Sequence, residues 1–363
     1  YFGHQVLLTG AGKKGFVLLF ALLTVFALAA CTPRQTLKLF MPGEYIDESL
    51  VRAFEKEHGV RVSIITFDSN ESAIPQIEAN SYDLIIPSDY AIEELAAKNL
   101  LQEMDYSRIT TFSLSDLDEG LVQVLDELEE EGFDLLKYGV PYFWGNVGIL
   151  YDTTKVQLSF LEEQGWHALK DTSYDIMFYD SSRDSFMIAF KALYEDTMSI
   201  NSPTDAQILA AENWLKDAKG PKTSFLTDEV FDVMLDPAQF AMAVVYSGDG
   251  VYLMDENDKL GYFVPSQGTN VWVDAFVIPN SAVEVDLAYE FINYFLSYDV
   301  ALENSIEIGY TSPRSDVIEA IIEDEIYDAE AYVITVSTKD EFFRYNETIK
   351  RKIEEAWVRV RAS

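Results

Sequence analysis

Trp272 and Asp274 are where this 363-residue chain first suggests chemistry. They stand two apart in Trp272-Val273-Asp274, inside a run that alternates like a strand, so both side chains project from one face. A carboxylate beside an indole is a seat for an ammonium group, which gains a charge-assisted hydrogen bond and cation–π attraction of about 0.5 to 2 kcal/mol. The competing reading packs Trp272 in a core and leaves Asp274 exposed. Ser88 and Tyr90 share the same spacing and would face together if the strand Tyr82 to Ile86 continued through the loop that follows it.

The chemistry suggested is capture, with no turnover. The sequence holds no Gly-x-Ser-x-Gly elbow, phosphate loop or His-Glu-x-x-His. Its three histidines, His4, His58 and His167, are scattered, and one cysteine permits neither an intramolecular disulfide nor a Cys-based metal site. No catalytic residue, metal or cofactor is therefore expected. An extracytoplasmic enzyme using paired carboxylates as acid and base is the alternative from another class, and a structural or adhesive lipoprotein is a third.

Charge narrows the partners. Lysine and arginine total 26 against 62 acidic residues, for a net charge of −36. Nucleic acid is excluded, because phosphate contacts require a basic face. A polycation is the better match, although a solubilising surface accounts for most of the acidity. At 48% hydrophobic the chain can bury a sizeable core.

Lys13-Lys14 precede an uncharged apolar run, Phe16 to Ala30, that closes on Leu28-Ala29-Ala30-Cys31. Basic, apolar and small-residue segments in that order read as an export signal over residues 1–31. The run is shorter than the roughly 20 residues a membrane-crossing helix needs. The cysteine directly after Leu-Ala-Ala resembles the bacterial lipobox, which implies that Cys31 is lipidated and anchors the protein to the membrane. The stretch ahead of Lys13 leaves a second reading open, with residues 1–15 the tail of an upstream membrane protein fused to this one.

Strand and helix signals alternate in the rest of the chain, which predicts an α/β fold with a mostly parallel sheet covered on both faces. Leu37 to Phe40, Val60 to Ile65 and Tyr82 to Ile86 read as strands, with a helix through Ile46, Leu50, Val51 and Phe54 that stops at His58-Gly59. Later helices are expected around Ser185 to Leu193, with Asp180 as N-cap, at Ala206 to Trp214 and at Glu341 to Val358. Strands return at Phe240 to Tyr246 and Trp272 to Ile278, and Asp126 to Glu131 reads as a solvated helical face. Ligands in such sheets bind at the loops beyond the strand ends. Here those loops are Met41 to Tyr45, Phe67 to Glu71 and Pro87 to Tyr90.

At these loops the sequence resembles the spermidine/putrescine-binding proteins of bacterial ABC transporters. The resemblance rests on Glu44-Tyr45, Phe67-Asp68-Ser69-Asn70-Glu71, Tyr82 to Tyr90, Val140 to Gly145, Trp272-Val273-Asp274 and Ile308-Gly309-Tyr310. It implies a type II periplasmic-binding-protein fold, with two lobes joined by hinge strands over a central cleft. One lobe would take 36–140 plus 271–312, and the other 141–270 plus 313–363. It also implies a polyamine ligand, a membrane permease as partner and a monomer. The ligand residues it implies are Glu44, Tyr45, Ser88, Tyr90, Asp184, Tyr246, Trp272, Asp274 and Tyr310. By position alone Asp184 is a first-turn acid placed for the helix dipole, and each tyrosine is one of 21. The chain departs from the family at Pro42-Gly43, at Ser181, where an acidic residue is usual, and at Phe343, near the family's late glutamine. These departures leave room for another small cationic or amino-acid-derived solute.

Overall fold

The computed structural model describes residues 34–363, so Cys31 and its leader lie outside the described residues. Nine strands organise the fold: β1 (Thr36–Pro42), β2 (Arg61–Phe67), β3 (Leu84–Ile85), β4 (Gly139–Asp152), β5 (Ile176–Tyr179), β6 (Thr223–Leu226), β7 (Met242–Tyr246), β8 (Leu260–Phe263) and β9 (Val271–Val277). Among the described residues they follow one hydrogen-bonded path, β2-β1-β3-β9-β4-β7-β5-β6, with β8 added to β4.

Two parallel blocks stand at the ends of that path. β1 runs parallel to β2 and β3, and β5 parallel to β6 and β7. Between them β9 runs antiparallel to β3 and β4, and β4 antiparallel to β7 and β8. The sheet is therefore mixed, and the mostly parallel expectation is corrected. β4 carries the chain out of the first block and β9 brings it back, so the two lie side by side in opposite directions. Antiparallel neighbours need no crossover helix.

β4 is the long member, and every residue of it is buried. Gly139 to Asn146 pair with β9, and from Val147 onward the strand pairs with β7 and then β8. Each block has its own core. Leu39, Phe54, Ile92, Val124, Val273 and Phe291 belong to one cluster, and Phe178, Phe186, Trp214 and Val360 to another.

Several helix ends differ from the sequence reading, each for a local reason. The helix Ser182–Tyr194 is capped by Ser181, whose side chain accepts from Asp184 N, while Asp180 pairs with Arg361. The C-terminal helix starts at Glu347, capped by Asn346, because Glu341 is held outside it by the buried Lys191 at 2.7 Å. The helix Glu48–His58 ends as predicted at Gly59, in the left-handed region at φ 68°. Among the described residues no helix is long and apolar enough to cross a membrane.

β3 is short because Asp83 takes over the pairing beside it. Its buried carboxylate accepts from Lys38 N at 2.8 Å and from Val283 N and Glu284 N at 2.9 Å each. One side chain thus ties β1 to the segment that follows β9. Asp83→Ala leaves those amides without an acceptor and should cost about 2 to 4 kcal/mol. Urea unfolding monitored by circular dichroism checks this, and wild-type stability would show that the amides find other partners.

Candidate functional site

A cavity of about 350 Å³ lies where the two blocks meet. The loops after β1, β2 and β3 wall it on one side, segments around Asp184, Asp228 and Tyr246 on the other, and Trp272 and Asp274 of β9 line it from below. All nine residues singled out in the sequence line this one cavity: Glu44, Tyr45, Ser88, Tyr90, Asp184, Tyr246, Trp272, Asp274 and Tyr310.

Three buried carboxylates are each held by a tyrosine hydroxyl. Tyr45 donates to Asp274 Oδ2 at 2.7 Å, Tyr246 to Asp184 Oδ2 at 2.7 Å, and Tyr310 to Asp249 Oδ1 at 2.8 Å. Burial pushes Asp274 up to about 6 against the pull of the nearby Ser88 and Tyr45 hydroxyls. It pushes Asp249 up to about 7, opposed by Tyr310 and assisted by the charge of Asp228. Asp184 is raised for the same reason, opposed by Tyr246, Ser181 and the charge of Arg183 and assisted by that of Glu71. A hydroxyl stabilises a carboxylate but does not neutralise it, so all three retain the penalty of lost hydration.

Among the described residues nine carboxyl side chains and a single guanidinium, Arg183, line the cavity. Arg183 does not face the three aspartates freely: its Nε donates to Glu71 at 2.6 Å and its guanidinium lies 4.1 Å above the Tyr90 ring. The net field inside is therefore strongly negative and suits a cation.

The aromatic walls are packed edge to face. Trp272 meets Tyr310 at 5.4 Å and Tyr246 at 5.9 Å between ring centroids, and Tyr45 meets Tyr310 at 5.1 Å. Two glycines admit these rings. A Cβ on Gly248 would sit 2.2 Å from the Tyr310 ring, and one on Gly145 would sit 2.7 Å from Trp272. Trp272 Nε1 and Asp274 Oδ1 are buried without a hydrogen-bond partner.

Ser88 and Tyr90 reach the cavity by a different route from the one their spacing suggested. The strand does not continue, because Ser88 is the N-cap of the helix Asp89–Ala97 and Tyr90 lies in its first turn. Asn70 fixes Ser88, donating to its Oγ at 3.0 Å. Glu44 is exposed, with a positive φ of 49° that turns the chain after β1.

Asp249 escaped the sequence reading. It sits in the first turn of the helix Ser247–Glu256, directly after β7, as Asp184 sits in the first turn after β5. That repeated strand-end, helix-start placement was the available signal. Asp228, also on the cavity wall, is raised by burial and by the charges of Glu44, Glu229 and Asp68. The departures Pro42, Gly43, Ser181 and Phe343 line the same cavity. Among the described residues no three His, Cys, Asp or Glu side chains are placed to hold a metal.

Comparison with known proteins agrees with this geometry. The chain is 26% identical to the spermidine/putrescine-binding periplasmic protein of Escherichia coli K12, over 81% of this chain and 82% of that one. It is 25% identical to the putrescine/agmatine-binding protein of Pseudomonas aeruginosa PAO1, over 96% and 98% respectively. A solved structure of a spermidine/putrescine ABC transporter substrate-binding protein from Streptococcus pneumoniae superposes with a TM-score of 0.71 at 28% identity, covering 90% of this chain and 99% of that one. The two-lobed α/β architecture is that of type II periplasmic-binding proteins. Residues 49–332 match the model of the bacterial extracellular solute-binding proteins, and the chain belongs to that family.

Proposed function

We propose that the chain captures a small organic polycation, putrescine or spermidine, outside the cytoplasm and hands it unaltered to the permease of an ABC importer. The observation that carries this reading is the set of three buried, tyrosine-bound carboxylates around an indole, while among the described residues the one cation on the cavity wall, Arg183, is engaged by Glu71 and Tyr90. The ligand's ammonium groups would be held by Asp274, Asp184 and Asp249, with Glu44 and Ser88 offering further polar contacts. Its methylenes would lie against Trp272, Tyr45, Tyr90, Tyr246 and Tyr310.

The lobes in this reading are 36–140 plus 271–312 and 141–270 plus 313–363. The separate hydrophobic clusters on the two sides of the cavity support two lobes, although Tyr142 to Trp144, Ile334 and Phe342 pack with the first cluster. Closing an empty cleft would bring Asp274 and Asp249 together out of water, which is costly. A bound polycation removes that cost, so capture and closure are coupled, and the permease recognises the closed form. The protein acts as a monomer, tethered to the outer face of the membrane by lipid on Cys31.

Equilibrium dialysis against labelled putrescine and spermidine tests the ligand class. Saturable binding of at least one is expected, and none from folded protein would overturn the reading. Trp272→Ala and Asp274→Asn should each weaken binding by about 1 to 3 kcal/mol. Wild-type affinity in both would place the ligand elsewhere. Cys31→Ser should move the protein from the membrane fraction to the soluble one; an unchanged distribution would rule out the lipid anchor.

A further inference from the structure

The geometry points to Asp89 as the residue that positions the ligand site, although it does not itself line the cavity. Asp89 is 1% exposed. β3 pairs antiparallel with β9 at Ile85 and Val277, and two residues along Ala275 N donates to Pro87 O at 3.2 Å. Two further on, the ladder should pair Val273 N with a main-chain carbonyl at residue 89. By then the chain has turned into the helix Asp89–Ala97. The Asp89 side chain stands in for that carbonyl, its Oδ2 accepting from Val273 N at 3.1 Å while Oδ1 accepts from Tyr90 N at 2.6 Å.

This bond joins the midpoints of two pairs. Val273 lies between Trp272 and Asp274, and Asp89 lies between Ser88 and Tyr90; all four flanking residues line the cavity. The Asp89 side chain extends the ladder one step past the point where the main chain leaves it, and so fixes the spacing between the β9 pair and the helix-start pair. Ligand affinity depends on that spacing, since groups placed about 1 Å off lose much of their effect. Without Asp89 the Val273 N–H is buried with no acceptor, and both pairs are free to shift.

The inference rests on the reading of this cavity as an ammonium site, and the experiment separates the two. Putrescine affinity and the indole N–H resonances of ¹⁵N-tryptophan-labelled protein are measured for wild type, Asp89→Asn and Asp89→Ala, with the Trp272 signal assigned through Trp272→Phe. An amide keeps one acceptor oxygen and a methyl keeps none. Affinity should therefore fall about threefold in Asp89→Asn and at least tenfold in Asp89→Ala. The Trp272 resonance should move in the same order, with those of Trp144, Trp166, Trp214 and Trp357 unmoved. Equal effects of the two substitutions, or an unmoved Trp272 signal, would overturn the inference. Should Asp89→Ala fail to fold, Asp89→Asn decides alone: wild-type affinity with an unmoved Trp272 signal would overturn it. If wild type binds no putrescine, the ammonium reading fails, and the Trp272 resonance still decides whether Asp89 positions β9.

Discussion

A carboxylate withdrawn from water must be neutralised, hydrogen-bonded or protonated, and this protein buries three around one cavity, each held by a tyrosine hydroxyl. The tyrosine partners of Asp184, Asp249 and Asp274 are uncharged, so each aspartate remains poised between a proton and a cation. Arg183, the one guanidinium on the cavity wall, is engaged by Glu71 and stacked on Tyr90. The site is in this sense an unfinished ion pair. In the proposed function a mobile ammonium completes it.

The fold serves to hold that arrangement. Two parallel blocks end their strands toward the same cavity, which brings the loops after β1, β2 and β3 to one wall. β4 and β9, passing between the blocks in opposite directions, lie behind the cavity with Gly145 of one admitting the Trp272 ring of the other. Helices that begin directly after β5 and β7 present Asp184 and Asp249 in their first turns, where the helix dipole supports part of the negative charge.

Local signals were legible in the sequence, and long-range pairing was not. Period-two spacing placed Trp272 and Asp274 on one face, and Gly59 marked a helix end, because both depend on neighbouring residues. For Ser88 and Tyr90 the spacing argument failed and the family resemblance held, since a buried aspartate between them replaced the strand that would have had to continue. Asp184 needed the family resemblance, and Asp249 was missed, because a first-turn acid looks the same whether it serves the helix or a ligand. The mixed sheet was hidden too: β4 and β9 are separated by more than a hundred residues, and nothing local in either reveals its direction relative to the other.

If Asp249 and Asp274 hold the ligand's ammonium groups as proposed, they give up protons in exchange for its charge. Calorimetric titration with putrescine at pH 7, repeated in buffers of different ionisation enthalpy, counts the protons exchanged. A bound ammonium should draw Asp249 and Asp274 down from about 7 and about 6 toward the ordinary carboxylate range. Binding should therefore release protons, up to about one per ligand, and tighten as pH rises from 6 to 8. The same binding heat in every buffer, with affinity flat across that range, would contradict the account.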